Sequence, residues 1–129
     1  LSDEEFKRAH HAVSEMARTL EAADVLRRKD FAALGALITQ SHASLRDDYE
    51  VSSPELNCAV DVALAHGALG ARMVGGGFGG SAIALVAQAQ IEEIKGAIAD
   101  AFTSASFTQP RFFTSLPSAG AQLVKKQDR

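Results

Sequence analysis

The residues best placed to do chemistry in this 129-residue chain have almost no side chain. In the stretch MVGGGFGGSAIALV, from Met73 to Val86, glycine fills five of the six positions from Gly75 to Gly80. Ordered glycine loses more conformational entropy than any other residue and offers nothing to pack. A run of it is expected where a chain turns sharply or lets a partner approach its backbone. Successive free amides can also form a concave nest for an anion such as a phosphate. Three other groups carry titratable or nucleophilic side chains. Asp47 and Asp48 are paired carboxylates beside Arg46, open to acid–base or metal work but better read as a capping and salt-bridge cluster. His10 and His11 are adjacent, so on a helix they point about 100° apart, a poor metal pair; a surface or partner-facing role fits them better. His42 stands close enough to the Ser44–Asp47 stretch to hydrogen-bond it, His66 suits the negative end of a helix dipole, and Cys58 reads as a small buried hydrophobe. Tyr49, the single tyrosine, is expected to anchor the link between two helices or to face another body.

These residues need elements to hold them. Ser2 with Glu5 three later is a capping-box signature, and Leu1 and Phe6 occupy the positions of a hydrophobic staple. Phe6, Ala9, Val13, Met16 or Ala17, Leu20 and Ala23 then recur at helical spacing, ending in the basic turn Arg27, Arg28 and Lys29. Asp30 caps a second helix through Phe31, Leu34, Leu37 or Ile38, Ser41 and Leu45. After a polar link, Ser53, Pro54 and Glu55 read as N-cap, first position and acidic first turn of a third helix, which Gly67 stops. Ala71–Val74 reads as a short strand. Ser81–Ala87 fits a buried strand or a helix start equally well. Ile91, Ile94, Ile98 and Phe102 set a helix from about Gln90 to Phe102. RFFTS (Arg111–Ser115) and AQLV (Ala121–Val124) read as further short strands, and KKQDR as a solvated tail. Helices followed by β, β, α, β, β argue an α+β domain.

Composition narrows the function. A formal net charge of −3 gives no electrostatic case for nucleic acid or an anionic membrane. The apolar run Ser81–Ala89 is too short to span a bilayer, and no signal peptide is visible. One cysteine excludes an internal disulfide framework and points to a reduced, cytoplasmic setting. A chain opening on Leu1 rather than Met is expected to be part of a longer protein.

The glycine run itself allows three readings. Gly75, Gly77 and Gly80 match G-x-G-x-x-G, with Asp100 about twenty residues on, but the motif should follow the first strand of a βαβ unit and here follows three helices. A plain hairpin turn explains one or two glycines, not five. A loop lying against a ligand or a neighbouring phosphate loop explains all of them; it is not a Walker A loop, because no G-K-[ST] follows.

GARMVGGGFGGSAIALV resembles the third signature of the GHMP kinases (galacto-, homoserine, mevalonate and phosphomevalonate kinases), and specifically its galactokinase form. SHASLRDDYEVSSPELN resembles the galactokinase segment just upstream. EAADVL…DFAALGAL and PRFF…PSAGAQLV resemble the helices before it and the C-terminal strands after it. The likeness covers essentially the whole chain. It departs at Ser53 and Ser81, where family members often have Cys, and at Asn57, where they often have Asp.

The resemblance implies a GHMP kinase C-terminal domain over residues 1–129: helices plus a small antiparallel sheet with a Gly-rich turn between strands. It implies a longer two-domain enzyme that phosphorylates galactose at O1 with ATP and Mg2+. The phosphate loop, the sugar-binding segment and the catalytic residues would lie in an N-terminal domain, which would be this chain's partner and bind most of the ATP and Mg2+. Gly75, Gly76, Gly77, Phe78, Gly79 and Gly80 would line the nucleotide site, with Gly76, Gly77 and Gly79 in closest contact and the Phe78 ring packing the loop down. No catalytic or metal-binding residue is implied here, and this part alone would be inactive. Gly77→Val would then cut activity more than stability. Some relatives are non-catalytic sugar and ATP sensors, and because the sugar contacts would lie in the other domain, a kinase for a related sugar such as N-acetylgalactosamine or arabinose is an open alternative.

Overall fold

The computed structural model describes residues 1–124. Three helices come first: α1 (Asp3–Arg27), α2 (Phe31–Asp47) and α3 (Pro54–Ala65). An antiparallel hairpin of β1 (Gly70–Val74) and β2 (Ser81–Leu85) follows, then a 3-10 turn at Gln88–Gln90 and α4 (Ile91–Ser104). The helix starts obey their capping residues. Ser2 Oγ accepts from the Glu5 amide at 3.2 Å while the Glu5 carboxylate accepts from the Ser2 amide at 2.7 Å. Asp30 accepts from the Ala33 amide, and Ser53 from the Leu56 amide ahead of Pro54. The hydrophobic staple does not close: Leu1 and Phe6 both stay exposed.

β1 and β2 pair Gly70 with Leu85 through Val74 with Ser81. Ala71 and Met73, two residues apart on β1, bury into two adjoining clusters. Ala71 meets Val60 and Ala63 of α3 and Ile94, Ile98 and Phe102 of α4, and Phe107 stacks edge-on against Phe102 at 5.4 Å. Met73, fully buried, meets Leu45 of α2 and Leu56 of α3, with Val51 at the margin.

The α2–β1 contact is backbone to backbone. A Cβ on Gly35 would lie 2.1 Å from the Leu69 carbonyl oxygen, and one on Gly70 would lie 2.1 Å from the Gly35 oxygen. That approach lets α2 side chains take amides that a further strand would otherwise use. Met73 N–H donates to His42 Nδ1 at 3.0 Å, and Ala71 N–H to Thr39 Oγ1 at 3.4 Å. Among the described residues β2 has no such cover: residues 81–84 are exposed.

Two expected strands are absent among the described residues. Arg111–Ser115 and Ala121–Val124 form no ladder, and Phe113, Leu116, Leu123 and Val124 are exposed. β-propensity is enough to suggest a strand, but a strand exists only with a hydrogen-bonded neighbour, and neither segment has one. The KKQDR tail lies outside the described residues.

Candidate active-site loop

The loop from Gly75 to Gly80 joins β1 to β2, so strand pairing fixes both its ends. Gly75, Gly77, Gly79 and Gly80 all have positive φ, as does Phe78 at +58°, uncommon for a bulky residue. The loop is fastened at its middle. Phe78 N–H donates to the Val51 carbonyl oxygen at 2.7 Å, and a Cβ on Gly77 would stand 2.1 Å from that same oxygen. Gly77 is therefore a close-approach glycine toward the chain's own link between α2 and α3. Within this chain Phe78 is 76% exposed, and its backbone amide rather than its ring makes the attachment. At Gly75, Gly76, Gly79 and Gly80 nothing stands within 4 Å of where a Cβ would be. Among the described residues, Phe78 alone of this loop donates its amide to another part of the chain outside the hairpin.

The link that receives the loop is itself held from several sides. Val51 N–H donates to the Leu45 carbonyl, extending the end of α2. Lys7 of α1 bonds the Glu50 carboxylate at 3.0 Å, Arg8 donates to the Asp48 carbonyl at 2.6 Å, and the His11 ring stacks flat on Tyr49 at 4.7 Å. Tyr49 thus anchors the link, as its position suggested.

His42 carries a part its sequence position did not reveal. It is buried on α2, and its Nδ1 accepts the Met73 amide. Nε2 must therefore carry the proton, which it donates to Asn57 Oδ1 at 2.9 Å; the same oxygen accepts from Ser52 Oγ at 2.7 Å. One imidazole thus joins α2 to α3 and to the strand residue two before the loop, and Asn57 brings in the link through Ser52. Burial pushes its pKa down, the Asn57 hydrogen bond opposing and the Arg46 and Arg72 charges assisting.

The other titratable residues resolve into structural roles. Arg46 grips both oxygens of Asp47, at 2.8 and 2.9 Å, and holds that carboxyl below its usual range. Asp48 ends α2 and bonds His10 Nδ1 at 2.9 Å. His11 Nδ1 lies 2.8 Å from Ser44 Oγ. His66 ends α3, 3.4 Å from Glu93. Cys58 is half-buried against the α3–α4 cluster. No local pattern announced a chain from Arg72 through Ser41 to Glu15, at 2.9 and 2.7 Å. Burial raises the Glu15 pKa, but the hydrogen bonds from Ser41 and Arg18 outweigh it and keep the group acidic. A groove of about 310 Å³ between α1 and α2 is lined by Arg18, Gln40 and Asp47 among others, and by no residue of the glycine loop. Among the described residues no three His, Cys, Asp or Glu side chains gather as a cation site.

The family model described as GHMP kinases C terminal matches residues 22–104, from the end of α1 through α4. This chain belongs to the GHMP kinase C-terminal family. Among similar proteins, a galactokinase of Streptomyces coelicolor is 50% identical over 124 residues, covering 95% of this chain and 32% of its own length. A galactokinase of Homo sapiens is 55% identical over 87 residues, covering 67% of this chain and 22% of its own length. Among solved structures, Lactococcus lactis galactokinase complexed with galactose superposes with a TM-score of 0.79 at 40% identity, over 81% of this chain and 27% of that one. L. major mevalonate kinase in complex with R-mevalonate gives 0.56 at 32% identity, over 68% and 26%. This GHMP kinase domain spans about a third of the length of the Streptomyces relative. The fold expected from the sequence, α+β with a glycine-rich turn between antiparallel strands, is the fold observed. No helix among the described residues is long and apolar enough to cross a membrane.

Proposed function

We propose that this domain is the C-terminal part of an ATP-dependent galactokinase, transferring the γ-phosphoryl group of ATP to the 1-hydroxyl of galactose. The observation that carries the reading is the 50% identity to a galactokinase across nearly the whole chain. Phosphoryl transfer relies on positioning and on stabilising spread negative charge rather than on covalent chemistry by the protein. A glycine loop suits that task. Its exposed backbone, open at Gly75, Gly76, Gly79 and Gly80, gives a phosphate loop or a triphosphate room to lie flush against it. Free amides on that surface can donate to phosphate oxygens. The Phe78 ring projects from the same loop and would contact whatever lies over it.

In this proposal the cation and the acid–base groups belong to an N-terminal domain outside this chain. Asp47 is committed to Arg46 and Asp48 to His10, so neither is offered to Mg2+ or to a sugar hydroxyl. Gly75–Gly80 line the nucleotide site and this chain alone is inactive.

The test is galactose-dependent ADP release, run on this chain and on the full-length polypeptide that carries it. Activity in the longer protein alone is the expected result. Activity in neither, with galactose binding retained, would overturn catalysis in favour of a sugar-binding sensor. Activity in the 129-residue chain by itself would mean the chemistry had been put in the wrong half.

A further inference from the structure

α1 is amphipathic, and it packs by the wrong face. Arg8, His11, Glu15 and Arg18, spaced three and four apart, face α2 and the link, where they meet the Asp48 carbonyl, Ser44, Ser41 and one another. The apolar stripe lies on the opposite side. Phe6, Val13, Met16 and Leu20 are between 61% and 76% exposed, and Ala9 and Ala17 complete a face with no charged member. At 1.5 Å per residue the stripe from Phe6 to Leu20 runs about 21 Å. Folded soluble chains seldom leave a continuous apolar face of that kind in water, and one that does exist marks an interaction surface.

We infer that the outer face of α1 is an interdomain docking surface, covered by an apolar face of the upstream part of the same longer polypeptide. The inference rests on the reading of this chain as one part of a longer kinase. Two observations favour that occupant over a second copy of the chain. First, the Streptomyces relative is about three times as long as the region matched, and a tethered partner is present at an effective concentration of roughly millimolar. Second, the stripe shares an end with the glycine loop. The first three turns of α1 hold the 48–51 link through Lys7, Arg8 and His11, and Val51 of that link holds Phe78. A body seated on α1 near Phe6 therefore bears on the residues that fix the loop. The alanines at positions 9 and 17, set between larger side chains, leave grooves that suit a helix laid across the stripe.

The experiment is site-resolved thiol alkylation of the full-length polypeptide, followed by mass spectrometry. Ala17→Cys and Leu20→Cys place a thiol in the stripe. Glu21→Cys, one residue on and off the stripe, is the exposed control, and Ala17→Cys keeps the test sound if the larger change disturbs folding. The expected result is labelling of both stripe thiols roughly a hundredfold slower in the native protein than in urea, with the control nearly unprotected. Native stripe thiols labelled as fast as the control would overturn the proposal. Protection lost on dilution, in step with dissociation of a dimer by sedimentation, would also overturn it, because the occupant would be a second copy. ADP release by the same preparation reads the kinase proposal separately. Protection without activity keeps the docking surface and sinks the kinase; activity without protection does the reverse.

Discussion

At the scale of single residues, His42 and the loop glycines have separable jobs. The Met73 amide occupies Nδ1 of His42, so protonating that nitrogen sets two donors against each other. Burial, above all, makes the folded imidazole resist a proton, whereas the unfolded one takes it up near pH 6.5. Because the folded pKa is depressed, the stability this site contributes is full above about pH 6.5 and declines as pH falls below it. His42→Ala is expected to cost about 2 kcal/mol at pH 8 by stranding the Met73 amide, and to flatten the acid limb. Urea midpoints of both proteins from pH 8 to pH 5 test this, and an undiminished acid limb in the variant would clear His42 of it.

The glycines divide in the same way. Gly76 has open space at its Cβ position and no positive φ, while Gly77 has φ +88° and would collide with Val51. Gly76→Ala should leave the thermal midpoint within about 2 °C while lowering kcat/KM of the proposed full-length kinase at least tenfold. Gly77→Ala should lower both. Sequence alone suggested that a change at Gly77 would report mainly on activity; the Val51 contact makes Gly76 the cleaner probe. Full activity in Gly76→Ala would remove that residue from the proposed nucleotide site.

At the scale of elements, local signals read well and partnerships did not. Ser2, Asp30 and Ser53 announce three helix starts that the structure keeps, because capping is decided within four residues of chain. The strand at RFFTS depended on a distant neighbour that no local pattern encodes. α1 shows the same limit from the other side. Its apolar spacing identified a helix correctly, yet the face that spacing marks is turned to solvent while arginine, histidine and glutamate side chains make the contact. Periodicity reports that a stripe will be covered, not what covers it. The glycine run was legible as a special loop because glycine in such density has few other uses. Its attachment to Val51 was not, since that is a contact across 27 positions.

Gly35 gave no signal of its kind. It lies mid-helix, where glycine ordinarily costs stability, and its reason is the strand backbone pressed against it. Gly35→Ala should therefore destabilise despite better helix propensity, by about 3 kcal/mol. It should also loosen the α2–β1 seam, so that the Met73 amide loses protection in hydrogen exchange. A stabilised variant would show that the seam opens at little cost.

At the scale of the whole molecule, this domain is held together at its middle and unfinished at its margins. Two buried clusters meet along one face of β1, and α2 and α3 close over it. The outer face of α1, the Phe78 ring and the segment from Phe112 to Val124 all remain in water. An enzyme built this way would owe the rigidity of its glycine loop to a frame of ordinary hydrogen bonds through His42, Asn57, Ser52 and Val51.

The hairpin has a further consequence. Thr39 and His42 spend the outward amides of β1, whereas β2 is bare. Such a sheet can grow in one direction only. When two isolated chains pair β2 against β2, each has used the one open edge of its hairpin, and that sheet cannot take a third. Sheet extension in the concentrated domain is thus expected to stop at two chains, with no cross-β fibre in diffraction, so the same histidine that steadies the glycine loop also acts as a chain terminator against fibre growth through the hairpin.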